Sequence, residues 1–148
     1  MKTERTWILR GGRVLHPAPF CLIGIVNVTP DSFSDGGRFL DPQRAVEHGL
    51  RLLDDGACML DLGAESTRPY AEPVPEAEER ARLLPVMGRL REVRPDAVLS
   101  VDTLKAGTAR AALEGGADII NDVSACTADP ALTDVLVEYK PGYVLMHS

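Results

Sequence analysis

Short apolar runs recur along this 148-residue chain, and each closes on polar side chains. The first is Leu22-Ile23-Gly24-Ile25-Val26, and strand-like runs end near Val28, Leu62, Val101, Asp122 and Met146. Apolar runs of this length bounded by turn formers read as buried strands. Between them the period becomes helical. Asp41-Pro42 offers an N-cap and a proline at the first helical position, Ala45, Val46, Gly49, Leu50 and Leu53 form one face, and Gly56 is the stop. A second helix is predicted over 76–93 through Leu83, Leu84, Met87 and Leu90, with Pro85 expected to kink it or to mark its true start. A third spans 104–114 and ends at Gly115-Gly116, and a fourth opens at Asp129-Pro130 and is ended by Pro141-Gly142.

The order βαβαβαβαβ implies a parallel sheet with helices packed outside it. Gly56-Ala57-Cys58-Met59-Leu60-Asp61 is echoed by Gly116-Ala117-Asp118-Ile119-Ile120-Asn121, an offset of 116 − 56 = 60 residues that holds two βα units. A doubly wound sheet is the competing architecture, but its first strand should lead through a glycine-rich phosphate turn straight into a helix. Here it leads into the long polar loop NVTPDSFSDGG, residues 27–37. The pattern therefore predicts an α/β chain of the (β/α)8 TIM-barrel type, incomplete, with about five βα strands; residues 1–148 form its amino-terminal portion.

Composition narrows the function classes. A formal net charge of −6 argues against a nucleic-acid or anionic-membrane partner, so an anionic substrate must be held by local devices. No apolar stretch approaches the roughly 20 residues of a membrane helix, and MKTERTWILR lacks the apolar centre of a signal peptide, so a cytoplasmic location is expected. Cys21, Cys58 and Cys126 are odd in number and widely separated, and are expected to be buried, inert thiols. His16, His48 and His147 form no ligand spacing.

Chemistry gathers at the strand ends: Asn27 and Thr29, Asp61 with residues 65–68, Asp102-Thr103, Asn121-Asp122, and His147-Ser148. In a barrel these converge on the carboxyl-terminal mouth, where active sites of that fold lie. Carboxylate and amide groups in an apolar setting suit a neutral heterocycle with several N–H donors and ring acceptors, which Asp102 and Asn121 can bind by complementary hydrogen bonds. Asn27 offers an oxygen to a hard cation such as Mg²⁺, and Thr67 and Arg68 offer phosphate contacts. Structural roles stand beside these. Asp61 and Asp122 are as readily backbone-bonding groups as ligand contacts, Asp102 is also a plausible helix N-cap, and Glu76, Glu78 and Glu79 read as a solvated first helical turn.

NVTPDSFSDGG at residues 27–37, DLGAESTRP at 61–69, SVDT at 100–103, NDVS at 121–124 and Met146-His147 together resemble the amino-terminal part of the dihydropteroate synthases. The resemblance spans essentially the whole chain, in family order. It implies condensation of 6-hydroxymethyl-7,8-dihydropterin diphosphate with 4-aminobenzoate, giving 7,8-dihydropteroate and diphosphate in folate biosynthesis. By the same resemblance Asn27 binds Mg²⁺ with the diphosphate, Thr67 and Arg68 act on the diphosphate or on the closing second loop, and Asp102 with Asn121 holds the pterin. Phe33 and Asp35 would cover the reacting carbon and form the aminobenzoate site, which sulfonamides target in this family.

Two departures stand out. The second loop reads STRPY where the family usually has STRPG, placing Tyr70 at a turn position. The family's later strands bring a further pterin-binding aspartate, a lysine and an Arg-x-His phosphate contact, which follow none of the motifs here. Residues 1–148 alone are thus expected to be inactive, and the homodimer expected of the complete family enzyme is doubtful for this chain. The alternative readings are a non-catalytic partial barrel that binds pterin, and a folate-binding domain of a corrinoid methyltransferase.

Overall fold

Each stretch with helical period forms a helix, and each apolar run forms a strand, in the computed structural model, which describes residues 5–30, 41–66 and 70–146. A short antiparallel hairpin, β1 (Trp7–Ile8) and β2 (Val14–Leu15), comes first. Five parallel strands follow: β3 (Ile23–Asn27), β4 (Met59–Gly63), β5 (Val98–Asp102), β6 (Ile119–Asp122) and β7 (Gly142–Leu145). The crossovers carry α1 (Pro42–Asp54), α2 (Glu76–Val93), α3 (Ala106–Glu114) and α4 (Leu132–Tyr139). Order in the sheet equals order along the chain. Asn27 lies opposite Gly63, Gly63 opposite Asp102, and Asp102 opposite Asn121, so the register lines up the ends where the polar groups sit.

Alternation along each strand divides the side chains between two faces. Val26, Leu60, Leu62, Leu99, Val101 and Ile120 point toward the helices and meet Ala45, Val46, Leu83, Met87, Leu90 and Leu113, all of them buried. This is the main core. A smaller cluster of Leu9, Met59, Val98 and Ile119 lies apart from it, with Trp7, Leu15, Cys21 and Val144 packed against it. The hairpin supplies its cover. Gly142 permits that approach, because a Cβ there would come within 2.9 Å of both Leu9 Cδ2 and Ile119 Cγ1. Further along the strand faces Ile23 and Ile25 are 52% and 61% exposed, on the outer strand β3.

The 60-residue echo extends to the backbone. Asp55 N donates to Arg51 O (2.8 Å), Gly56 N to Leu53 O (3.1 Å) and Ala57 N to Leu52 O (2.9 Å). The counterparts are Gly115 N to Ala111 O (2.9 Å), Gly116 N to Leu113 O (3.2 Å) and Ala117 N to Ala112 O (2.9 Å). Gly56 and Gly116 take φ of 107° and 100°, a region open to glycine and strained for other residues, so both helices end on the same αL stop.

Several expectations change. Helix α2 begins at Glu76 and runs through Pro85 to Val93, held by buried Leu83, Val86, Met87 and Leu90 on the sheet. Tertiary packing here outweighs one lost backbone donor. Helix α4 starts at Leu132, because Asp129 turns outward from it: Oδ1 accepts from Ala131 N (3.1 Å) while Oδ2 accepts from Ala106 N (2.8 Å) at the start of α3. The cysteines are not buried: Cys58 is exposed, and Cys21 and Cys126 are partly so. Cys21 and Cys58 precede β3 and β4, and Cys126 lies in the turn after β6.

Candidate active site at the strand ends

Asp102 and Asn121 lie opposite each other where β5 and β6 leave the sheet, and Asp61, expected after its strand, is instead the middle residue of β4 and reaches Asn121 from below. Asp61 Oδ1 accepts from Ser100 Oγ at 2.6 Å and its Oδ2 accepts from Asn121 Nδ2 at 2.9 Å. Asp61 and Asn121 occupy the same place in the two repeats, so the echo in sequence is a contact in space. The carboxylate orients the Asn121 amide, with one of its two N–H donors committed to Asp61. The role left open for Asp61 is thus one of support, and the offset of 60 was the signal that could have found it.

Asp102 sits in different company. Burial, then the charges of Asp61, Glu79, Asp122 and Glu65, push its carboxyl up to about 6. It does not cap a helix: α3 begins beyond it, with Lys105 in the capping position, and Thr103 Oγ1 accepts from Lys105 N at 3.2 Å. Asp102 remains available to a ligand.

Asp122, fully buried, accepts from Ser124 N (2.8 Å), Ser124 Oγ (2.7 Å), Cys126 N (2.6 Å) and Tyr143 Oη (2.9 Å). Burial raises its carboxyl, but these bonds outweigh burial and leave it below the ordinary carboxylate range. It shapes the turn after β6, where Ala125 and Cys126 hold φ of 53° and 62°.

Glu79, expected to be solvated, is 1% exposed. Its Oε2 accepts from Thr108 Oγ1 at 2.7 Å and lies 3.3 Å from Lys105 Nζ, which also pairs with Glu65. Glu76 reaches across to α3 as well, accepting from Gly107 N at 3.1 Å. Only Glu78 of that turn keeps the expected surface role, paired with Arg82. Lys105 and Glu65 fix the root of the second loop to α2 and α3. A cavity of about 90 Å³ opens between Glu65, Glu79, Asp102, Thr103 and Val123. It is smaller than a typical pocket for a small organic ligand.

Asn27 ends β3 with its residue exposed, and Val28 N donates to Gly63 O at 2.7 Å just beyond it. Tyr70 has φ of 68° and is fully exposed, a left-handed backbone at the position where sequence comparison anticipates glycine. Phe33, Asp35, Thr67 and Arg68 lie outside the described residues, as do His147 and Ser148.

The dihydropteroate synthase of Mycobacterium leprae is 48% identical over 130 residues, covering 88% of this chain and 45% of that protein. Among solved structures, the Xanthomonas albilineans dihydropteroate synthase with 4-aminobenzoic acid matches with a TM-score of 0.86 and 46% identity, covering 95% of this chain and 51% of that one. The Yersinia pestis dihydropteroate synthase in complex with a sulfonamide drug gives a TM-score of 0.84 at 38% identity, covering 97% and 50%. The chain spans about half the length of the relatives it matches, and its five-strand sheet corresponds to part of their barrel. A family model described as pterin binding enzyme matches residues 23–148, from the first residue of β3 onward. Such a match embraces the whole parallel sheet rather than one motif, and the chain belongs to the pterin binding enzymes.

Proposed function

We propose that this chain is the amino-terminal portion of a dihydropteroate synthase, joining 6-hydroxymethyl-7,8-dihydropterin diphosphate to 4-aminobenzoate with release of diphosphate. The observation that carries the reading is Asp102 opposite Asn121 on neighbouring strand ends, the amide already held by Asp61 from within β4 and the Asp102 carboxylate left free. A pterin edge presents N–H donors beside ring acceptors. Asp102 accepts from such donors, and the Asn121 oxygen, turned away from Asp61, accepts a further one. Similarity to enzymes whose structures hold 4-aminobenzoic acid or a sulfonamide supports the second substrate and the drug class.

The residues fit Mg²⁺ in one limited sense. Among the described residues no group of three or more His, Cys, Asp or Glu side chains is placed to hold a metal. Mg²⁺ keeps several waters and substrate phosphates, however, and needs one or two protein oxygens, which the exposed amide of Asn27 can supply. When bound, the ion would neutralise charge on the departing diphosphate. In this reading Arg68 and Thr67 hold the same diphosphate, and Phe33 and Asp35 exclude water from the reacting carbon and shape the aminobenzoate site. Positive charge developing at the methylene carbon is delocalised into the pterin ring, which Asp102 and Asn121 keep in register. A cytoplasmic location belongs to the same proposal. No helix among the described residues is long and apolar enough to cross a membrane.

The test joins residues 1–148 to the carboxyl-terminal half of the Xanthomonas enzyme and assays dihydropteroate formation. The chimera is expected to turn over and the chain alone to be inert. Asp102→Ala should weaken pterin binding by about 1–3 kcal/mol. Since the carboxylate must be ionised to accept, wild-type affinity should fall as pH drops below about 6. A folded chimera that binds methyltetrahydrofolate but forms no dihydropteroate would decide for the methyltransferase class instead.

A further inference from the structure

Register sets Ile25, Asp61, Ser100 and Ile119 side by side across β3, β4, β5 and β6. Two residues further along each strand, and so on the same face, come Asn27, Gly63, Asp102 and Asn121. Asp61 therefore lies one row beneath the candidate ligand contacts. Ile25 and Ile119 carry no polar side-chain atom, so the deeper row offers Asp61 a single hydroxyl, that of Ser100, and the row above offers the Asn121 amide. Both bonds are made. Ser100 Oγ, fully buried, donates to Asp61 Oδ1 at 2.6 Å, and Asn121 Nδ2 donates to Asp61 Oδ2 at 2.9 Å.

A carboxylate accepts hydrogen bonds and has none to give. Turned end for end, the Asn121 amide would set its own oxygen against Asp61 Oδ2, two acceptors in contact with no proton between them. The amide is thus held one way round. Its oxygen and its second N–H are left for a ligand, in an order that the carboxylate fixes. Asn121 is half-buried, which keeps these outer atoms within a ligand's reach.

We propose that Asp61 determines specificity through Asn121: by fixing which end of the amide meets the ligand, it selects a heterocycle whose N–H and carbonyl groups run in one order and rejects the isomer with that order reversed. The inference rests on the pterin reading and deepens it. Asp61 is a positioning residue, because the contact with the ligand is made by Asn121. Ser100 belongs to the same device, since its one proton occupies Oδ1 and leaves Oδ2 to the amide. The arrangement dictates what Asp61→Asn would do. Ser100 Oγ still donates to the side-chain oxygen at position 61, which turns the new NH2 group toward Asn121. Asn121 must then answer with its oxygen and offer its nitrogen to the ligand. Without the Ser100 hydroxyl the new amide is free to turn back.

The experiment measures by calorimetry how the chimera with the Xanthomonas carboxyl-terminal half binds pterin, and how it binds the isomer with the amino and oxo groups of the pyrimidine ring exchanged. Wild type should favour pterin by about 100-fold or more. Asp61→Asn should lower that ratio at least about tenfold, and adding Ser100→Ala to it should restore most of the preference. A purely supporting residue would weaken both ligands alike. A second readout needs no ligand: in the proton–nitrogen NMR spectrum of the folded chain, one side-chain amide proton of Asn121 should lie downfield and exchange slowly, and Asp61→Asn should abolish that signature. Wild-type Asn121 protons that both exchange fast would overturn the proposal even where the variant fails to fold. An unchanged ratio in a folded, pterin-binding Asp61→Asn chimera sinks this inference and leaves the pterin reading standing. Selectivity that is lost as expected, in a chimera that forms no dihydropteroate, sinks the enzyme reading and leaves this inference. Binding of neither compound by wild type sinks both.

Discussion

Asp118, where the strands enter the sheet, and Asp102, where they leave it, are carboxylates in opposite company. Asp118 Oδ1 lies 2.9 Å from Arg13 Nη1, and its Oδ2 lies 3.1 Å from Arg91 Nη2 and accepts from Leu99 N at 3.0 Å. Those arginines also bind the carbonyls of Asp96, Ala97 and Gly116, so the cage ties the N-terminal hairpin, α2 and the entry to β6 together. Asp102 is instead buried without a cation and has carboxylates for neighbours, and burial first and then those charges raise its pKa. A charge that is neutralised in place serves the fold. A charge left facing others of its own sign weakens the fold and stays ready for a donor brought by a ligand.

Removing Asp118 is the hardest way to test that contrast. Asp118→Ala strands two guanidinium groups at the closed end and should cost about 3–5 kcal/mol in urea unfolding, with no direct contact to the ligand wall lost. A loss well under 1 kcal/mol would show that the cage is not holding the hairpin to the sheet.

Asp102→Asn should act in the other direction. A carboxyl whose folded-state pKa is above its unfolded value binds its proton more tightly when folded, so its contribution favours folding at low pH and is lost as pH rises from 3.8 to about 6. Above that window the ionised group opposes folding. The asparagine variant should therefore be more stable than wild type at pH 7 by about 1–3 kcal/mol, and the gap should close toward pH 4. Parallel stability curves across this range would remove the argument that Asp102 is held at a cost to the fold. The smallest effect is expected at Tyr70. Tyr70→Gly relieves a φ of 68° at no loss of packing, and should raise stability by up to about 1 kcal/mol. A lower melting temperature would indicate that the exposed ring has contacts of its own.

The sequence was legible where a periodic pattern or a cap carried the information. The five parallel strands end within one residue of where apolar runs stop, and Asp41 caps α1, accepting from Gln43 N at 3.0 Å. Hairpin strands of two residues, Trp7–Ile8 and Val14–Leu15, are too short to show a period. Glu79 was misread because a glutamate in a first helical turn looks solvated until a neighbouring helix brings Thr108 and Lys105 to it. At the candidate site, Asp102 and Asn121 were visible as polar residues ending apolar strands. That Asp61 would bind Asn121 needed the parallel register between distant segments, which no local pattern contains.

Because β3, β4, β5, β6 and β7 neighbour one another in chain order, the sheet can grow at a single edge. Each arriving strand has only one crossover helix to close before it meets its partner, which keeps the entropy of loop closure small at every step. Contacts of this kind are formed with little search, whereas a sheet with interleaved strands must wait for distant segments. During synthesis from the amino terminus, β3 and β4 have all their chain before β5 emerges, and the main core can begin to close around Leu60, Leu62 and Leu90 while later strands are still being made.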